Sequence, residues 1–188
     1  YDFLFDKKLQ RHGVAPKFET LMDYFQHLTK QTLFLVIRNN EVLQISDYNF
    51  AEYLEQKTVE ATNFKGDKIT ITPVIGDLHY HNTLCYLNAR LVPNYGTIEV
   101  RMPCQQPPNE TMVTAALNLG LMENLVKANT FFEKYDWSVW KHLRAEAMKH
   151  AFQAKLPNGK SIIPLIEEFL TIAQKGLKNR KHNEEKFL

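Results

Sequence analysis

A chain of 188 residues, 44% hydrophobic and 23% charged, is long enough for one substantial core and too apolar for a disordered segment. Its 23 Lys and Arg nearly balance 21 Asp and Glu, so a net charge of +2 is too small to predict nucleic-acid binding from charge alone, and no nucleic-acid partner is expected. The apolar run Leu33–Ile37 is too short to cross a bilayer, no leader pattern opens the chain, and Cys85 and Cys104 form neither a disulfide framework nor a zinc pattern. A cytoplasmic protein with reduced thiols and no membrane partner is expected.

Pro16 precedes an expected helix over Lys17 to Gln31, with Phe18, Leu21, Met22, Phe25 and Leu28 as its apolar face. The β-prone runs Leu33 to Arg38 and Glu41 to Ile45 flank Asn39-Asn40, a pair that tolerates the positive φ of a hairpin turn. Asn49 caps a short helix reaching Lys57, and Lys68 to Thr72 reads as an edge strand stopped by Pro73. Thr83 to Met102, interrupted by Pro93-Asn-Tyr-Gly96, reads as two antiparallel strands.

Beyond Pro107-Pro108 the pattern turns helical. Asn109 is a candidate cap, and Met112, Ala115, Ala116, Leu119, Met122 and Leu125 hold one face until about Phe132. Trp137 to Gln153 and Ser161 to Leu177 follow as helices, separated by Pro157-Asn158-Gly159. The expectation is one α+β domain over 1–188, mixed over 1–106 and helical over 107–188, with an antiparallel sheet whose apolar face is covered by helices.

Alternation gives the central hairpin two unlike faces. Ile98, Val100 and Met102 share one with Leu87, Ala89 and Leu91, whereas Thr97, Glu99 and Arg101 share the other with Asn88 and Arg90. A two-residue loop at Asn94-Tyr95 or a four-residue loop after Val92 gives the same register, which puts Arg90 opposite Glu99 and Asn88 opposite Arg101. Such a patch is either an ordinary ion pair on a solvated sheet face or a site in which a carboxylate holds Mg²⁺ and guanidinium groups grip phosphate.

Other signals read more plainly. His79 and His81 would share a face of a strand, as polar lining or surface rather than a metal pair. Arg11-His12 and Lys178 to His182 read as solvated charge, Cys104 as a quiet thiol, and Trp137, Trp140, Leu143, Ala147 and Phe152 as core stripe. Arg144 points to solvent or to substrate.

NARLVPNYGTIEVRMPCQQPPNETMVTAALNLGLMENL, Asn88 to Leu125, resembles the glutamate-cysteine ligase and carboxylate-amine ligase family: Arg-Leu, a turn, Gly-Thr-Ile-Glu-Val-Arg, then Gln-Pro before a long helix. The resemblance implies a glutamine-synthetase-like fold, with Glu99 as a Mg²⁺ ligand and Arg101 meeting the ATP γ-phosphate or the phosphorylated carboxylate. It implies Arg90 neutralising the anionic substrate, with Asn88, His81 and Asn82 in substrate binding. The implied reaction joins glutamate to cysteine or another small amine through a γ-glutamyl phosphate, with ATP as co-substrate. Glutamine synthetases carry Arg where Thr97 stands, which favours the ligases that use other amines. The family's acidic N-terminal strand motif is not found before residue 80, so the chain is expected to be the C-terminal part of a ligase and to need the N-terminal part as partner. The alternative is a non-catalytic domain of that fold that binds an amino acid or a protein.

Overall fold

In the computed structural model, which describes residues 12–188, the first helix opens at a reciprocal cap. The Thr20 hydroxyl accepts from the Asp23 N–H at 3.2 Å, and the Asp23 carboxylate accepts from the Thr20 N–H at 2.8 Å, starting α1 at Leu21–Thr29. Its buried face is Tyr24 and Leu28, flanked by Phe18 and Phe25. Leu21 and Met22, expected inside, are exposed. The apolar pattern alone ranked them above Tyr24, whose phenol finds polar partners inside. Arg11 lies outside the described residues.

Strand β1 (His12–Gly13) is a short bridge. β2 (Leu35–Arg38) and β3 (Glu41–Gln44) form the expected hairpin, closed by the pair Arg38↔Glu41. Asn39 (φ 51°) and Asn40 (φ 60°) both take the left-handed conformation of a two-residue type I′ turn. Asn49 caps α2 (Phe50–Leu54) by exchanging hydrogen bonds with Glu52. Two further strands, β4 (Val59–Thr62) and β5 (Lys68–Ile71), complete an antiparallel sheet of order β2-β3-β4-β5. Phe50 and Tyr53 of α2 pack against Val36, Leu43, Ile45, Val59, Ala61 and Ile71 of the sheet. A helix on an antiparallel sheet bears out the mixed α+β expectation.

The next segment departs from it. Asp77–Leu84 is a helix, α3, so strand structure does not begin at Thr83, and His79 and His81 do not share a strand face. Its buried residues Asp77, His81 and Asn82 are polar, so the helix carries no apolar periodicity for a sequence reading to find. After α3, β6 (Tyr86–Leu87) pairs parallel with β1. β7 (Ala89–Val92) and β8 (Thr97–Val100) then form the expected hairpin as a separate two-stranded sheet, in the four-residue-loop version with Val92 facing Thr97.

The chain divides into two compact units, the first ending at Met102 and the second running Pro103–Leu188. The second unit contains α4 (Val113–Glu123), α5 (Leu125–Phe132), α6 (Trp137–His150) and α7 (Ile163–Arg180). Asn109 does not cap α4; Met112 stands at the N-cap without a side-chain bond. The long helix expected to reach Phe132 breaks at Asn124 (φ −122°, ψ 39°), whose side-chain amide instead donates to the Ile172 carbonyl at 3.0 Å. Ala128, Phe131 and Ile172 form one core cluster of the unit, with Trp140, Leu165 and Phe169 against it. Leu143 is buried as expected, whereas Phe152 is exposed. Arg180 of the basic C-terminal cluster is paired with Glu123 and Glu184. Among the described residues no helix is long and apolar enough to cross a membrane.

Candidate functional site

The hairpin register follows the sequence alternation: Ala89↔Val100, Arg90↔Glu99, Leu91↔Ile98 and Val92↔Thr97. The Arg101 N–H donates to the Asn88 carbonyl at 2.9 Å, which extends the same pairing one step further. Asn88, Arg90, Glu99 and Arg101 therefore lie on one face. Arg90 Nη2 is 2.6 Å from Glu99 Oε2, and Arg101 Nε approaches the same oxygen at 3.7 Å. Arg101 also donates through Nη1 to the Cys85 carbonyl at 3.2 Å and lies 5.0 Å from the centroid of the Tyr86 ring.

On the charged face of this hairpin the two guanidinium groups are sheltered while the Glu99 side chain, 44% exposed, is open to water. The Arg90 and Arg101 side chains are 14% and 20% exposed. On the apolar face Ile98, Val100 and Met102 are 60%, 45% and 46% exposed, so the helical cover expected for that face reaches Leu87 and Leu91, which pack with Tyr24 and Leu28 of α1, but not the β8 side. Arg90 Nε and Nη1 and Asn88 Oδ1 are buried and have no hydrogen-bond partner among the described residues. Unpaired buried donors on a guanidinium are costly, and an anion that accepts from them removes the cost. The patch holds two positive groups and one negative group.

His81 and Asn82 are placed differently. His81 is buried, stacked on Phe50 with ring centroids 5.0 Å apart, and its Nε2 lies 2.9 Å from the Leu28 carbonyl. Asn82 is buried between α1 and β7: Tyr24 Oη donates to its Oδ1 at 2.6 Å, and its Nδ2 donates to the Leu91 carbonyl at 2.9 Å. The Leu91 N–H donates to Tyr24 Oη at 3.3 Å, and burial raises the Tyr24 phenol above its ordinary range, keeping it a donor. The structure thus brings together Asn88, Arg90, Glu99 and Arg101, and sets His81 and Asn82 in the packing behind them. His79 is exposed on α3.

Sequence reading missed Tyr24, whose signal was a lone tyrosine within an apolar helix, and a second polar cluster. Arg38 grips Asp77 with two nitrogens at 2.6 and 2.7 Å, and Tyr53 Oη donates to Asp77 Oδ2 at 2.6 Å. Burial pushes the Asp77 carboxyl up, but the Arg38 and Tyr53 hydrogen bonds outweigh it and hold the group below the ordinary range. Burial raises the Tyr53 phenol, helped by its bond to Asp77. Every strong partner in this cluster is internal, which marks it as structural.

For a metal, Glu99 offers hard carboxylate oxygen. Among the described residues no group of three or more His, Cys, Asp or Glu side chains gathers around it or elsewhere. One carboxylate fits Mg²⁺ where nucleotide phosphates and water fill the rest of its octahedral shell. Cys104 is an exposed free thiol, and Arg144 is half-buried on α6. In comparisons with known proteins, no family model and no curated protein matches this chain.

Proposed function

We propose that the chain is the C-terminal part of an ATP- and Mg²⁺-dependent carboxylate-amine ligase with a glutamine-synthetase-like fold, joining glutamate to cysteine through a γ-glutamyl phosphate. The observation that carries this reading is the pair of sheltered guanidinium groups, Arg90 and Arg101, on the charged face of the β7–β8 hairpin, with two donors on Arg90 that have no partner among the described residues. An ordinary surface ion pair would leave its cation solvated and satisfied.

In this reading the γ-carboxylate oxygen of glutamate attacks the γ-phosphorus of ATP, and ADP leaves. The cysteine amine then attacks the acyl carbon, and inorganic phosphate departs. Arg101 lies against the phosphoryl oxygens, Arg90 donates to the substrate carboxylate through Nε and Nη1, and Asn88 lies beside it to accept from a donor of the substrate through Oδ1. Glu99 would hold Mg²⁺ together with the nucleotide phosphates, and the bound ion supplies neutralisation of phosphate charge. Glu99 also keeps the two guanidinium groups from repelling each other when no substrate is present.

The test uses the polypeptide that carries this chain, with ATP, Mg²⁺, glutamate and cysteine. Phosphate release should require both amino acids, and Glu99→Gln should lower kcat/KM by about a hundredfold or more. Glutamate binding unchanged by Glu99→Gln, with no phosphate released by either protein, would make the chain a non-catalytic amino-acid-binding domain instead.

A further inference from the structure

We infer that Tyr24 and Asn82 are positioning residues for Arg90, acting as a side-chain substitute for a strand on the outer edge of β7, where none pairs among the described residues. In an antiparallel ladder, residues alternate between those whose N–H and C=O face the partner strand and those whose groups face away. The bond from the Arg101 N–H to the Asn88 carbonyl makes Asn88↔Arg101 a bonded pair, so Arg90↔Glu99 is the next bonded pair. Leu91 lies between such positions and turns both its backbone groups outward. Those groups are what the clamp takes: Tyr24 Oη accepts from the Leu91 N–H, and Asn82 Nδ2 donates to the Leu91 carbonyl. The bond from Tyr24 Oη to Asn82 Oδ1 joins the two arms into one unit, carried by α1 and α3.

The consequence falls on the neighbouring residue. A two-stranded ribbon is marginal alone and free to twist, and Arg90 precedes the clamped residue directly. With Leu91 held from outside and Glu99 facing it from β8, Arg90 is fixed on both sides with Nε and Nη1 still unspent. Asn82 therefore serves the site through backbone rather than through substrate. This role rests on the ligase reading only for what Arg90 binds.

The experiment compares wild type, Tyr24→Phe and a control, Val36→Ala, in the other core cluster of the first unit. Solvent exchange and order of the Arg90 Nε–H are followed by NMR, with the signal assigned by Arg90→Lys. Tyr24→Phe should speed that exchange about tenfold, the equivalent of one lost hydrogen bond, while Val36→Ala at equal or greater loss of thermal stability leaves it unchanged. In the ligase assay Tyr24→Phe should raise KM for glutamate about tenfold with a smaller change in kcat, and combining it with Arg90→Lys should add little further. Unchanged Arg90 exchange in Tyr24→Phe, or equal acceleration in Val36→Ala, would overturn the positioning role. If wild type shows no ligase activity the functional reading fails, and the exchange comparison still decides the role of Tyr24.

Discussion

Asp77 is only 6% exposed and nevertheless stays ionised, because two Arg38 nitrogens, the Tyr53 phenol and the Val74 N–H all converge on it. Removing the cation alone strands the carboxylate, so Arg38→Met should cost about 2–3 kcal/mol at neutral pH, below the full buried-pair value because Arg38 is partly open to water. The sign of the pH dependence follows from the lowered carboxyl: folded Asp77 binds its proton less readily than unfolded Asp77. Its contribution is therefore fully present above the ordinary value of 3.8 and is lost as pH falls through the folded value beneath it. Urea midpoints of wild type and Asp77→Asn should be separated by a constant gap from pH 7 to about 5, narrowing below about 4. A gap that widens on acidification would mean that the folded protein carries Asp77 protonated. Ala151 shows the opposite kind of residue, one in conflict with its backbone. At φ 47° and ψ −124° it ends α6 in a region suited to glycine, and Ala151→Gly should raise stability by roughly 0.5–1 kcal/mol in thermal melts.

Hairpins were the most legible elements, since turn chemistry and alternation are both local. Asn39-Asn40 announced a turn with two left-handed residues, and Asn40→Val should cost about 1–2 kcal/mol because a β-branched side chain cannot relax there. Urea unfolding followed by far-UV circular dichroism checks it, and Asn40→Gly should be at least as stable as wild type. The register of β7 and β8 was legible for the same reason, which is why Arg90 was placed opposite Glu99 correctly. Which face lies inside was not legible: alternation sorts residues into two sets, and charge alone assigns the set with Glu and Arg to water. Here Arg90 and Arg101 are the sheltered ones, because Tyr24 and Asn82 hold β7 and Tyr86 and the Cys85 carbonyl hold Arg101. Helix α3 was hidden in a related way, its inner face being Asp77, His81 and Asn82, residues whose burial depends on partners far along the chain. Elements that bury polar side chains carry no periodic signal of their own.

At the scale of the whole chain, the helical half was legible as helices but not as a packing arrangement, because helix spacing depends on which small residues meet. A Cβ placed on Gly176 would lie 1.9 Å from the Gly120 carbonyl oxygen, and one on Gly120 would lie 2.3 Å from the Ala173 carbonyl oxygen. In both cases the obstruction is backbone, which no rotamer change relieves, so α4 and α7 must separate to admit a methyl group. Gly120 stood in the sequence as one glycine within an apolar helical pattern, where propensity predicts that replacement by alanine stabilises. The close approach reverses that sign. Gly176→Ala should destabilise by about 1–3 kcal/mol despite the better helix former. Both tryptophans, Trp137 and Trp140, lie in the second unit, so their fluorescence reports unfolding there, and the midpoint in urea should fall for Gly176→Ala and for Gly120→Ala. The double variant should lose less than the sum of the two, since helices already forced apart by one methyl group have made room for the second. A stabilised Gly176→Ala would show that propensity outweighs contact at this crossing and that the helices can shift apart without loss of packing.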